Sequence, residues 1–279
     1  MKVLVIWGME TKAPGLLARA KTLMPEGGAR VTVAVLFNKT SREAWGISNP
    51  CEFMADIRAQ AAAVFGDTVP VTVESDDTDD ITAWTLDKVS DGAFDLVVKT
   101  GHRSESFLHT PSDWALMRAL QVPFCIASPM KLKSRQIILA AVDIDASAEK
   151  RQMAQEVLSR AARLARARDA AIEVAYVIPV NRALEEIDAV DPETVLYQKG
   201  PKAQEALDQL LADTGVYASA THVLAGSPGR VVARLARKRK ADLVVMGSAG
   251  RTGLSAALLG NTAEKAVHEL KTDLMVVKA

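Results

Sequence analysis

At 279 residues, with 49% hydrophobic and 24% charged residues, the chain has a globular composition and the length for one large or two ordinary domains. Lys plus Arg balances Asp plus Glu at 34 each, so no global field draws it to nucleic acid or to an anionic membrane. The opening Met1-Lys-Val-Leu-Val-Ile-Trp-Gly8 is too short for a secretory signal and no apolar run approaches a membrane span, so a cytoplasmic location is expected.

In chain order, short β-rich runs alternate with longer helical ones, the pattern of a parallel sheet covered on both faces. Strands are predicted over 2–7, 31–37, 69–73, 95–99 and 123–127, and helices over 12–24, 50–65, 79–91 and 111–120. Within this half, Cys51 and Cys125 are far apart and without disulfide or zinc spacing, so both are expected to be buried small hydrophobes. The run Asp76-Asp77-Thr78-Asp79-Asp80 lacks the glycine and final Glu of a calcium loop and reads as carboxylates at a helix N-terminus. Thr110 and Pro111 are cap and first residue of the helix that follows.

Ser128-Pro-Met-Lys-Leu-Lys-Ser134 is a short basic linker, with Pro129 ending the strand before it. Beyond it strands are predicted over 136–142, 172–178, 219–224, 242–246 and 273–277, with helices over 147–169, 200–213, 228–239 and 261–270. The halves can be written over each other with a period of about 145 residues. Lys2–Trp7 matches Gln136–Val142, Asp95-Leu-Val-Val98 matches Asp242-Leu-Val-Val245, and Pro123–Ala127 matches Asp273–Val277. The expected fold is α/β: two tandem doubly wound parallel five-stranded sheets, as domains 1–130 and 134–279. So short a linker implies an intramolecular pseudo-dimer of the two domains, and leaves room for a homodimer.

The stretch Asp242-Leu-Val-Val-Met246-Gly247-Ser248-Ala249-Gly250-Arg251 and onward to Gly260-Asn261-Thr262 reads as strand, glycine loop and helix start. Backbone N–H groups at such bends, with a helix dipole behind them, suit a phosphate. The spacing is neither GxGxxG nor GxxxxGK[ST]. It resembles the nucleotide-binding signature of the universal stress protein family, on Met246–Gly250, Leu258–Glu264 and the closing strand Leu274–Val277. Asn261 departs from the family's hydroxyl residue, with Thr262 next. The resemblance, to tandem-domain members, covers nearly the whole chain, and implies a Rossmann-like fold of the adenine nucleotide alpha hydrolase type. It implies ATP or another adenine nucleotide, with Mg, in the second domain. Met246, Gly247, Ser248, Gly250, Gly260, Asn261 and Thr262 would then surround the phosphates, with Asp143 and the backbone at Val177 meeting the nucleoside. Asp143 also stands at the switch point, where ligands of open α/β sheets bind. Asp145 and Ser147 read as helix caps. Arg251 reaches toward phosphate or only water.

Where the second half has Met246-Gly247-Ser248-Ala249-Gly250, the first has Lys99-Thr100-Gly101-His102-Arg103, and Thr110-Pro111-Ser112 stands for Gly260-Asn261-Thr262. Side chains would fill what the glycines leave open, so the first domain's site is expected to be lost or remodelled. The basic run Arg230, Arg234, Arg237, Lys238, Arg239 and Lys240 reads as a solvated helix face. His102, His109, His222 and His268 have no metal spacing and no catalytic constellation is legible, so no nucleic acid, membrane or protein-held metal partner is expected, and ATP hydrolysis is slow at most. The expected function is a sensor or regulator in stress response. The rival is a non-enzymatic interaction module that binds a protein or another small molecule, with no nucleotide.

Overall fold

The computed structural model describes residues 1–8, 15–25, 27–37, 47, 49–101, 112–128, 136–144, 147–180, 190–248, 270 and 272–278. The chain separates into two compact units, Met1–Leu132 and Lys133–Ala279. The linker residues 129–134, Thr110 and Pro111, and the helix expected over 261–270, except for Leu270, lie outside the described residues.

In the first unit the strands are β1 (Lys2–Gly8), β2 (Arg30–Phe37), β3 (Val71–Asp77), β4 (Leu96–Thr100) and β5 (Phe124–Ala127). They pair in parallel in the order β3-β2-β1-β4-β5. The central strands are continuous apolar runs because both faces are covered: Val3 to Ile6 and Val97 to Val98 have no exposed surface. Helices α1 (Leu16–Thr22) and α2 (Pro50–Phe65) pack together, as do α3 (Ile81–Gly92) and α4 (Ser112–Ala119).

In the second unit β6 (Ile137–Ala141), β7 (Ala171–Pro179), β8 (Ala220–Gly226), β9 (Leu243–Gly247) and β10 (Asp273–Val277) pair in parallel in the order β10-β9-β6-β7-β8. Helix α5 (Ala148–Arg168) packs with α6 (Pro192–Thr214), and α7 (Pro228–Arg239) lies on β6, β7 and β8. The expected fold class holds: both units are doubly wound parallel sheets. An aspartate before the fourth strand locks each in the same way. Asp95 Oδ2 accepts from the Lys2 N–H at 2.7 Å, and Asp242 Oδ2 from the Ile137 N–H at 3.0 Å.

Two elements differ from the expectation. The helix predicted from 200 begins at Pro192, because Asp191 accepts from the N–H groups of Glu193 and Thr194 and Pro192 fills the first helical position. Gly200-Pro201, taken as its start, sits inside it, at the cost of the hydrogen bond Pro201 cannot donate. Strand β3 runs on through Asp77, so only Asp80 of the acidic run caps a helix, accepting from the Ala83 N–H at 2.9 Å. Asp76 instead accepts from Trp84 Nε1 at 2.8 Å. An edge strand tolerates such carboxylates on its open side.

Candidate functional site

The strand order of the second unit reverses between β6 and β9, the neighbours on either side of the switch point. Strand β6 ends opposite Met246, since Ala141 is in register with it. Two residues on, Asp143 is half exposed and pairs with Lys150 Nζ at 3.1 Å, where α5 begins under its Ser147 cap. An ion pair this open contributes at most about 1 kcal/mol, so the carboxylate can exchange Lys150 for a ligand group at little cost. Asp145 lies outside the described residues, and Ser147 is the cap expected of it, its Oγ accepting from the Lys150 N–H at 3.3 Å.

From β9, Met246 is buried in the core and Ser248 leaves the strand, its N–H donating to Val277 O at 3.0 Å. Val177 sits on β7, one strand further out, with its side chain buried and in register with Leu224. Only its backbone is available for recognition. Thus Asp143, Met246, Gly247 and Ser248 cluster at the ends of adjacent strands, and Val177 stands one strand away. Gly250, Arg251, Gly260, Asn261 and Thr262 lie outside the described residues.

Gly247 has a packing reason for being glycine. A Cβ built on it would collide with Met153 Cγ, stand 2.6 Å from Met153 Sδ and 3.6 Å from Val157, both on α5. The missing side chain lets α5 close over the sheet end. Gly247→Ala is expected to destabilise the second unit by about 1–3 kcal/mol through overpacking. In a double-mutant cycle read by urea unfolding, Met153→Ala should recover part of that loss. Strictly additive costs would show that Met153 is not what the glycine accommodates.

The first unit carries other chemistry at the same register. Thr100 ends β4 opposite Ala127 as Gly247 ends β9 opposite Val277, so Lys99, Thr100 and Gly101 stand for Met246, Gly247 and Ser248. Lys99 Nζ donates to Asp113 Oδ1 of α4 at 2.8 Å and to Thr100 O at 3.1 Å, with both charged side chains at most 3% exposed. The Thr100 hydroxyl is buried and has no hydrogen-bond partner among the described residues, and a Cβ on Gly101 would lie 2.7 Å from Ile126. Thr100 therefore puts a side chain where the second unit has Gly247, and Lys99 a buried cation where it has Met246. Arg103 lies outside the described residues.

Two polar groups escaped the sequence reading. Glu173, buried within β7, accepts from Arg239 Nε and Nη2, both at 2.8 Å, and from His222 Nε2 at 2.8 Å. Arg239 thus departs from the solvated face expected of its run, which the exposed Arg230, Arg234, Arg237, Lys238 and Lys240 do form. The second is Lys278, just past β10, whose ammonium lies 3.5 Å from Ser248 Oγ and whose pKa burial pushes down to about 8. A charged residue inside a β-rich run was the available signal for Glu173, and a lysine closing the last strand was the one for Lys278.

Among the described residues no helix is long and apolar enough to cross a membrane. The model of the universal stress protein family matches residues 134–278. Over 202 residues the chain is 32% identical to the universal stress protein E homolog of Haemophilus influenzae, covering 69% of this chain and 64% of that protein. Over 203 residues it is 32% identical to universal stress protein E of Escherichia coli, covering 69% and 63%. The match thus spans a little under two thirds of the length of these relatives. Among solved structures, a Pseudomonas aeruginosa UCBPP-PA14 protein assigned to the universal stress proteins superposes with a TM-score of 0.70 at 25% identity, covering 99% of this chain and 92% of that one.

Proposed function

Since the chain belongs to the universal stress protein family, we propose that its second unit binds ATP or a related adenine nucleotide and that the protein serves in the cytoplasm as a stress-response sensor or regulator. One observation carries the reading: Asp143 and Ser248 follow adjacent strands at the point where the strand order reverses, and Ser248 opens the glycine loop. In this reading Met246, Gly247, Ser248, Gly250, Arg251, Gly260, Asn261 and Thr262 hold the phosphates, and Asp143 with the Val177 backbone holds the nucleoside. In this reading Mg arrives with the phosphates, whose oxygens it coordinates. The two domains in this reading span 1–130 and 134–279, and the first is degenerate, its nucleotide site lost or remodelled.

Isothermal titration should show ATP binding that Gly250→Arg abolishes, because a guanidinium would fill the loop meant for phosphate. A wild-type protein without affinity for any adenine nucleotide would sink the proposal. The rival, an interaction module without nucleotide, gains from Gly247, whose smallness is explained by Met153 alone. Native mass spectrometry of the purified protein separates the two, since a retained nucleotide excludes the rival.

A further inference from the structure

Helix α7 of the second unit presents an exposed basic stripe. Its 12 residues, Pro228–Arg239, include no acid, and the side chains of Arg234, Arg237 and Lys238 are exposed and form no ion pair or hydrogen bond with any described residue. The four-residue spacing sets Arg234 and Lys238 on one face, with Arg237 beside them. Arg239 is held by Glu173, and Arg230 and Lys240 have interactions of their own. The stripe therefore rests on Arg234, Arg237 and Lys238.

The same place in the first unit carries the opposite charge. With Asp95 set on Asp242, the N-caps Asp80 and Ser227 coincide, and so do the left-handed helix ends Ala93 and Lys240, at φ 48° and 57°. Asp87 of α3 then falls on Arg234, and Asp91 falls on Lys238. Both aspartates are exposed, and their side chains form no ion pair or hydrogen bond with any described residue. Asp79 and Asp80, also exposed, carry the acidic surface past the start of α3. The one cation of this helix, Lys88, is paired with Glu74 at 2.6 Å. Two helices of equal length, 12 residues each, thus expose opposite charges at matched positions.

We propose that the chain self-associates by docking the α7 stripe of one copy on the α3 stripe of another. Charge complementarity names the occupant, since a surface of matching length and opposite sign is exposed on every other copy. The balance of 34 basic and 34 acidic residues leaves no net repulsion between copies. Exposed ion pairs contribute little one at a time, so the contact depends on several acting together and weakens as salt screens them. It is independent of the nucleotide reading, because neither stripe belongs to that site.

Sedimentation velocity of the full chain over a concentration series tests this. At an ionic strength of about 0.01 M, where charges act over about 30 Å, the wild type should sediment as more than one chain, and at about 1 M as a monomer. Asp87→Lys with Asp91→Lys, and separately Arg234→Glu with Lys238→Glu, should each weaken association by about a hundredfold or more, because like charges then face each other. All four substitutions in one chain restore the complementarity and should restore association, as should an equal mixture of the two double variants. Circular dichroism checks that each variant is folded. Double variants that associate like the wild type, or a fourfold variant and a mixture that both stay monomeric, would overturn the proposal. A wild type that stays monomeric at low salt would overturn it as well. Should that monomer shift duplex DNA in a gel, and Arg234→Glu with Lys238→Glu abolish the shift, the basic stripe would belong to a polyanion instead.

Discussion

Asp113→Ala should destabilise the first unit by about 3–5 kcal/mol, because it strands the Lys99 ammonium in the interior without its counter-charge. Lys99→Met alone should be costly for the mirror reason, since it leaves the Asp113 carboxylate buried. The double variant Lys99→Met with Asp113→Ala should recover most of the loss. It puts at both positions the residues that the second unit carries there, Met246 and Ala263, and replacing a whole buried pair by apolar groups is often close to neutral. The sequence supplies its own reporters. All four tryptophans, Trp7, Trp45, Trp84 and Trp114, fall in the first unit, and all three tyrosines, Tyr176, Tyr197 and Tyr217, in the second. Tryptophan fluorescence in urea therefore follows the first unit separately, with Trp114 next to the substituted aspartate. Single variants that unfold at the wild-type urea midpoint, or a double variant as unstable as the worse single one, would refute this role for the pair.

The second large effect concerns Glu173. Burial pushes its carboxyl pKa up, yet the hydrogen bonds from Arg239 and His222, with their charges, outweigh burial and leave it below the usual carboxylate range. An ionised carboxylate only accepts, so His222 Nε2 carries the hydrogen in this contact. Glu173→Gln keeps the shape and removes the charge, and should cost about 2 kcal/mol at neutral pH, typical of a hydrogen bond to a charged partner. Arg239 is 42% exposed on its side chain, so water can rehydrate its guanidinium and the loss stays below that of a fully buried pair. The sign of the pH dependence follows from the lowered pKa. The contribution of the carboxylate is complete above the unfolded-state value and is lost as pH falls through the lower folded-state value. The gap between wild type and Glu173→Gln, read by far-ultraviolet circular dichroism and tyrosine emission, should be present at neutral pH and close in strong acid, as pH falls through the folded-state value. A gap that persists undiminished in strong acid would contradict the assignment.

Much of the second unit's site could be read in the sequence because its signals are local. Met246-Gly247-Ser248 breaks an apolar strand, and Asp143 follows another. What could not be read was why Gly247 is glycine. Its neighbour Met153 lies far back in the chain on a helix whose amphipathic pattern says that one face is buried but not against what. Lys278 went unread for a related cause: a lysine after the last strand looks like any polar terminus until β10 pairs with β9 and brings it to Ser248.

Period and hydrophobic pattern by themselves determined two α/β halves with parallel strands, since only strands covered on both faces need runs such as Leu243 to Met246. Helix caps were equally local, and Asp191-Pro192 carries a start signal ahead of the start expected at 200. Tertiary structure alone decided which charges meet. Glu173 and Arg239 are 66 residues apart, and Lys99 and Asp113 are 14 apart on different elements. Periodicity states whether a side chain is buried, but its partner is set by which elements pack over it, and buried charge is where that choice has the largest energetic consequence.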